Sequence, residues 1–327
     1  MKTHASMIRA TSFAAILCLA AGAVVAKPQA AAPAPVFDGS VVSGLGARNI
    51  GSATMSGRIS AIAARQEKDG KVTIYVGSAS GGVWKSLDSG TTFTPVFDKQ
   101  PVQSIGAVTL DPNDPDTVWV GTGESWTRNS VSVGNGVYRS RDGGESWEPR
   151  NRGTRNDYMP DKYPEVGLCV HSIALAAGSD TRMYQQNHCG MYRSEDSGRN
   201  WTSIEAGLPS SFGFPAAAHP RDPDTLFLLP LNGDQAGRFV PDGAAAVWRT
   251  QDAGATWQAL RNGLPQHQAF FGVLRQAMAV DRLEPAGLYF GTSSGSLFAS
   301  ADEGGHFACI AEHLPTITSV ETLVLET

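Results

Sequence analysis

The sequence predicts an all-β protein, a β-propeller of four-stranded antiparallel blades with about six blades, one of them incomplete. Two observations carry this. A short segment recurs five times without gaps: VWKSLDSGTTF (83–93), VYRSRDGGESW (137–147), MYRSEDSGRNW (191–201), VWRTQDAGATW (247–257) and LFASADEGGHF (297–307). Each copy is preceded by two short apolar runs, so a unit of about 50 residues repeats, the length of one blade. Composition agrees: 36 glycines, 19 prolines and only 17% charged residues suit short strands joined by many turns better than helices.

Within a unit the first strand is apolar: RISAIAA (58–64), SIGAVTL (104–110), HSIALAA (171–177), FPAAAH (214–219) and QAMAVD (276–281). A turn follows, built on Asp and Pro in DPNDPD (111–116) and HPRDPD (219–224). The second strands are TIYVGS, TVWVGT, RMYQQN, TLFLLP and GLYFGT. The recurring segment supplies the third strand, a tight turn and the start of the fourth.

Each column of that segment has a physical task. The aspartates are Asp88, Asp142, Asp196, Asp252 and Asp302. With the Ser or Thr two residues before, they can accept backbone N–H groups that lack a strand partner. The glycine two residues after each aspartate supplies a positive φ. Aromatics four before (Trp84, Tyr138, Tyr192, Trp248, Phe298) and five after (Phe93, Trp147, Trp201, Trp257, Phe307) wedge between sheets. Each is worth about 1.5–3 kcal/mol on burial. These aspartates read as structural, not as catalytic or calcium-binding groups.

The motifs resemble the Asp-box (BNR) repeat β-propellers, a superfamily that includes sialidases, xyloglucanases, sortilin-type luminal domains and a photosystem assembly factor. Residues 46–147, through GARNIG, SGRISAIA, YVGSASGGVWKSLDSGTTF, PVQSIGA and GNGVYRSRDGGESW, resemble the sortilin-type bacterial branch. Residues 167–323, through QNHCGMYRSEDSGRNW, LPSSFGFP, AVWRTQDAGATW and GTSSGS, resemble a compact sialidase-like branch often labelled glycosyl hydrolase. The resemblance speaks to fold more than to function.

The ends carry further expectations. Lys2 and Arg9, a small-residue apolar run and Val24-Val25-Ala26 read as a signal peptide over 1–26, an anchor being the alternative. An Ala/Pro-rich linker over 27–40 and the propeller over 41–327 complete the organisation, and the location expected is secreted or periplasmic. At the other end TSVETLVLE (318–326) reads as a sixth inner strand, with 45–51 supplying an outer strand to that blade. The alternative is an open ring, whose bare edge would favour dimerisation.

Net charge is −5 with no basic block, which speaks against nucleic acid or an anionic membrane surface as a partner. Cys169, Cys189 and Cys309 lie outside the leader, without metal-ligand spacing, and no cofactor or metal is implied. Counting back from a hairpin turn at 178–181 sets Cys169 opposite Cys189, which predicts a disulfide and leaves Cys309 free; the alternative is two reduced cysteines packed as small apolar residues, since a register slip of one residue separates the pair.

The longest loops, 123–136, 149–168, 231–244 and 263–275, join second to third strands or one blade to the next, so they share the face opposite the aspartate turns. They offer Glu124, Trp126, Arg128, Arg238 and Arg275 for binding a glycan or a protein, together with Asn187 and His188 at the end of a second strand. Exposed aromatics are expected at Phe270 and Phe271. An inverting glycosidase needs two carboxylates about 6.5–9.5 Å apart, and Asp157 or Asp161 with Asp234 are the candidates. The Arg-Ile-Pro motif of sialidases is missing: Arg58 sits in GRISA. The reading preferred is a non-catalytic binding or assembly scaffold for a glycan or protein ligand, with a glycoside hydrolase, sialidase-like or xyloglucanase-like, as the alternative.

Overall fold

A computed structural model describes residues 58–123, 134–166, 168–233 and 236–324. The chain divides into two compact units at Val42/Ser43, and all the described residues belong to the second.

Five sheets of four strands follow one another. Blade one holds β1 (Ile59–Gln66), β2 (Val72–Ser78), β3 (Val83–Ser86) and β4 (Thr94–Pro95). Blade two holds β5 (Ile105–Leu110), β6 (Val118–Thr122), β7 (Val137–Ser140) and β8 (Glu148–Pro149). Blade three holds β9 (Val170–Leu175), β10 (Met183–Asn187), β11 (Gly190–Ser194) and β12 (Thr202–Ser203). Blade four holds β13 (Gly213–Ala218), β14 (Leu226–Pro230), β15 (Val247–Thr250) and β16 (Gln258–Leu260). Blade five holds β17 (Met278–Val280), β18 (Leu288–Gly291), β19 (Leu297–Ser300) and β20 (Ala308–Ala311). Every sheet is in sequence order and antiparallel, and the first strands of successive blades pack on one another.

Four buried clusters fill the four junctions between consecutive blades. Tyr75, Val83 and Phe97 of blade one meet Ile105, Val118 and Tyr138 of blade two. Ala107 and Trp119 meet Val170, Met183 and Trp201. Tyr184 and Met191 meet Leu226 and Leu228. Phe227, Leu229 and Val247 meet Leu288, Phe290, Phe298 and Phe307. The blade is thus not a stable unit by itself; its apolar faces are covered only by the next blade. The tryptophans add a polar stitch. Trp147, Trp201 and Trp257 donate their indole N–H to the carbonyls of Val96, Arg150 and Ile204, on the outer side of the preceding blade.

The aspartate turns form as expected. Asp88, Asp142, Asp196, Asp252 and Asp302 each accept a backbone N–H four residues on, from Thr92, Ser146, Asn200, Thr256 and His306, at 2.8–2.9 Å. The Ser or Thr hydroxyl accepts the N–H of the following glycine, as in Ser140 with Gly144 at 2.7 Å, and donates to the aspartate. Gly144 has φ 101°, a conformation an L side chain resists.

The sixth blade is not found: the described residues form five blades. The segment after Leu314 follows the place of a next inner strand only briefly. Ile317 packs on Gly291 as Ile105 packs on Gly77 and Val170 on Gly121. Val320 then donates to the Gln276 carbonyl, and Ser319 forms a single parallel bridge with Gln276. The described part of 318–326 forms no strand, and among the described residues nothing pairs with it on the far side. The proposed partner, 45–51, lies outside the described residues, as do the signal peptide and linker.

Candidate functional site

A β-bulge sits at the same place in the first four blades. The first and second strands pair evenly, then slip by one residue near the end of the hairpin away from the aspartate turns. The slips fall between Ile59 and Ala61, Ile105 and Ala107, Gln186 and Asn187, and Gly213 and Ala216. In blade three the extra residue is His171: Ser172 pairs with Gln186, but Val170 pairs with Asn187. The backbone N–H of His188 then donates to the carbonyl of Cys169 at 3.0 Å. Bulges re-aim side chains in this way near functional sites.

The consequence corrects the disulfide expectation. The register read from the sequence holds from Met183 to Gln186, then shifts, so Cys169 lies opposite His188 and not Cys189. Neither cysteine is in a disulfide. Cys189 Sγ instead accepts the Asp157 N–H at 3.5 Å, and burial pushes its thiol up. Cys309 is free, as expected, and exposed.

Around the bulge, side chains from blades three, four and five converge. The His171 ring lies 5.3 Å from that of His188 and 4.9 Å from that of Phe214. His188 touches Phe212 at 5.0 Å and the exposed ring of Tyr158 at 5.3 Å. Arg238 lies over Phe212 and Phe214, at 5.7 and 5.9 Å, and Arg275 over Phe214 at 6.0 Å. Such cation–ring contacts are attractive and hold both planes in place. Arg275 also donates to the carbonyl of Gly123, in blade two, at 3.1 Å. Its other terminal nitrogen is 3.7 Å from Cys169 Sγ.

His171 is fully buried. Burial first, then the charges of Arg275 and His188, hold it well below its ordinary pKa. Its Nδ1 meets the Gly213 carbonyl at 2.6 Å. A carbonyl only accepts, so the proton is on Nδ1 and the lone pair on Nε2.

Four of the residues singled out from sequence therefore meet here: His188, Arg238 and Arg275 in the cluster, and Asn187 beside it. Asn187 Oδ1 accepts the Cys189 N–H at 2.7 Å, while its buried Nδ2 and both polar atoms of buried Gln185 lack partners among the described residues. Neighbouring Gln186 is satisfied, donating to the carbonyls of Asn187, Gly190 and Ser211. Asp157 is held by Arg155 at 3.1 Å, and Asp161 accepts the Tyr163 N–H at 3.0 Å. Glu124, Trp126, Arg128 and Asp234 lie outside the described residues. Phe270 is exposed as expected, but Phe271 is buried against Phe298.

The sequence reading missed His171, Phe212, Phe214 and the role of Cys169. A histidine opening an otherwise apolar first strand was the available signal.

No protein-family model matches the chain. Among curated proteins it is similar to a xyloglucanase of Paenibacillus sp, 26% identical over 290 residues covering 79% of this chain and 26% of the relative. A xyloglucanase of Hypocrea jecorina (strain QM6a) is 27% identical over 210 residues, 57% of this chain and 24% of that one. Among solved structures, an ancestral GH74 enzyme superposes with a TM-score of 0.56 at 17% identity, over 79% of this chain and 33% of the other. The chain thus spans about a quarter of the curated relatives and a third of that enzyme. The structural likeness supports the propeller fold.

Proposed function

We propose that this protein is a glycan-directed β-propeller of the glycoside-hydrolase kind, acting on a polysaccharide of the xyloglucan class. The similarity of 79% of the chain to a xyloglucanase supports this reading over that of a protein-assembly scaffold. The loop-face cluster suits a sugar chain. The exposed ring of Tyr158 offers an apolar face to sugar C–H groups, and Arg238 and Arg275, held over the buried rings of Phe212 and Phe214, carry donors suited to hydroxyls. Asp157, Asp161 and Asp234 are the carboxylates proposed for protonating the leaving oxygen and activating water.

Purified protein is incubated with xyloglucan, and released reducing ends are measured. Hydrolysis is expected, reduced at least a hundred-fold in Asp157→Asn or Asp234→Asn. Retarded migration in a xyloglucan gel without hydrolysis would leave a binding module only. Absence of both binding and hydrolysis would defeat the proposal.

A further inference from the structure

We propose that Cys169, His171 and His188 form a binding site for a zinc-class divalent cation, with a fourth position open to water or another ligand. One donor atom from each residue lies within 4.8 Å of the other two. Ligand bonds of about 2.0–2.3 Å to nitrogen and sulfur place tetrahedral donors about 3.4–3.6 Å apart, so closure takes side-chain shifts of about an ångström. Those shifts are available, since Cys169 and His188 are only partly buried while His171 is fixed.

The donor set fits a borderline-soft ion: one thiolate and two imidazoles. The tautomer of His171 is already that of a ligand. Its Nδ1–H is spent on the Gly213 carbonyl, an outer partner of the kind that orients metal-binding histidines and leaves Nε2 for the ion. His188 is packed between Tyr158 and Phe212, which restrict the plane of its ring. Arg275 approaches the sulfur of Cys169 at 3.7 Å and holds that side chain at the cluster. Cys189 is engaged with the Asp157 N–H instead and is outside the donor group.

The arrangement has one structural origin. The bulge adds His171 to its strand and brings His188 against Cys169. Blades one and two carry Ser60 and Gly106 at the extra position and have no donor there. Three protein ligands with an open fourth position mark zinc sites that bind or activate a further ligand, not closed structural ones.

The test is Co²⁺ titration of the reduced full chain, followed by absorbance, with no sugar present. One equivalent is expected to give a thiolate-to-cobalt band in the near ultraviolet and intense visible bands of tetrahedral cobalt, both removed by Zn²⁺. Cys169→Ser is expected to abolish the near-ultraviolet band, and His188→Gln to weaken cobalt binding at least ten-fold. Cys189→Ser and Cys309→Ser are expected to keep both. Circular dichroism establishes that each variant folds; if His188→Gln does not, Cys169→Ser decides. Absence of the band in the parent, or its persistence in Cys169→Ser, overturns the site. So does its loss in Cys189→Ser. Because no glycan enters the assay, failure here leaves the hydrolase reading standing, and the reverse.

Discussion

Asp142 shows what the repeated aspartates do. Its carboxylate accepts the hydroxyl and N–H of Ser146 and the hydroxyl of Ser140, and these bonds hold its pKa at about 2. Bonds from Thr92 and Thr256 hold Asp88 and Asp252 at about 2 as well. A carboxyl whose pKa is lower folded than unfolded stabilises the fold above its unfolded value, near 3.9, and ceases to do so as pH falls toward 2. Denaturation midpoints are therefore expected to fall between about pH 4 and pH 2. The fall should be shallower when Asp88, Asp142 and Asp252 are all replaced by Asn. Asp142→Ala is expected to cost about 1 kcal/mol, at the low end for stranded donors because the turn is exposed. Xyloglucan binding should be unchanged. A variant with parent-like melting and lost binding would give this turn a functional role instead.

At the scale of strands, close inter-blade approach depends on glycines at the ends of second strands. A Cβ on Gly121 would lie 2.7 Å from Val170 Cγ1, in the junction of blades two and three. Gly121→Val is expected to destabilise by about 1–3 kcal/mol in urea, by overpacking. Adding Val170→Ala should recover part of that loss; no recovery would place the strain elsewhere. The bulge gives the second test at this scale. Protein beginning at Lys27, denatured without prior reduction, is expected to show three titratable thiols, from Cys169, Cys189 and Cys309. A single thiol would mean that the two strands can adopt the unbulged register.

For the whole molecule the C-terminal segment matters through one side chain. Leu314 donates to the Gly295 carbonyl and Ile317 to that of Thr292, and the Ile317 side chain covers Gly291 beside buried Phe290. Ending the chain at Leu314 is expected to lower the melting temperature by about 2–4 °C for each kcal/mol of burial lost. Ending it at Val320 should leave melting unchanged within about a degree. Equal effects of the two truncations would show that residues beyond Val320 carry the stability. On the other side, blade one presents Ile59 and Ile62 at 57% and 61% exposure, where the equivalent strand of blade two is largely buried against its predecessor. Five consecutive blades make four junctions, and this face of blade one is left without a neighbour among the described residues.

The sequence alone determined the blade. Its turns are made by Ser/Thr, Asp and Gly within six residues, and its strands by apolar alternation, so both are written locally and repeat five times. Asn187, His188, Arg238 and Arg275 were also legible as loop-face residues, because antiparallel order fixes which strand ends share a face. Tertiary structure alone decided which of them meet. Register after a bulge depends on how the backbone twists against the neighbouring blade, and counting residues across a hairpin is blind to an extra one. That single residue, His171, separated the two cysteines and joined Cys169 to His188. The number of blades was equally out of reach, since whether an apolar strand becomes a blade depends on partners distant in the chain.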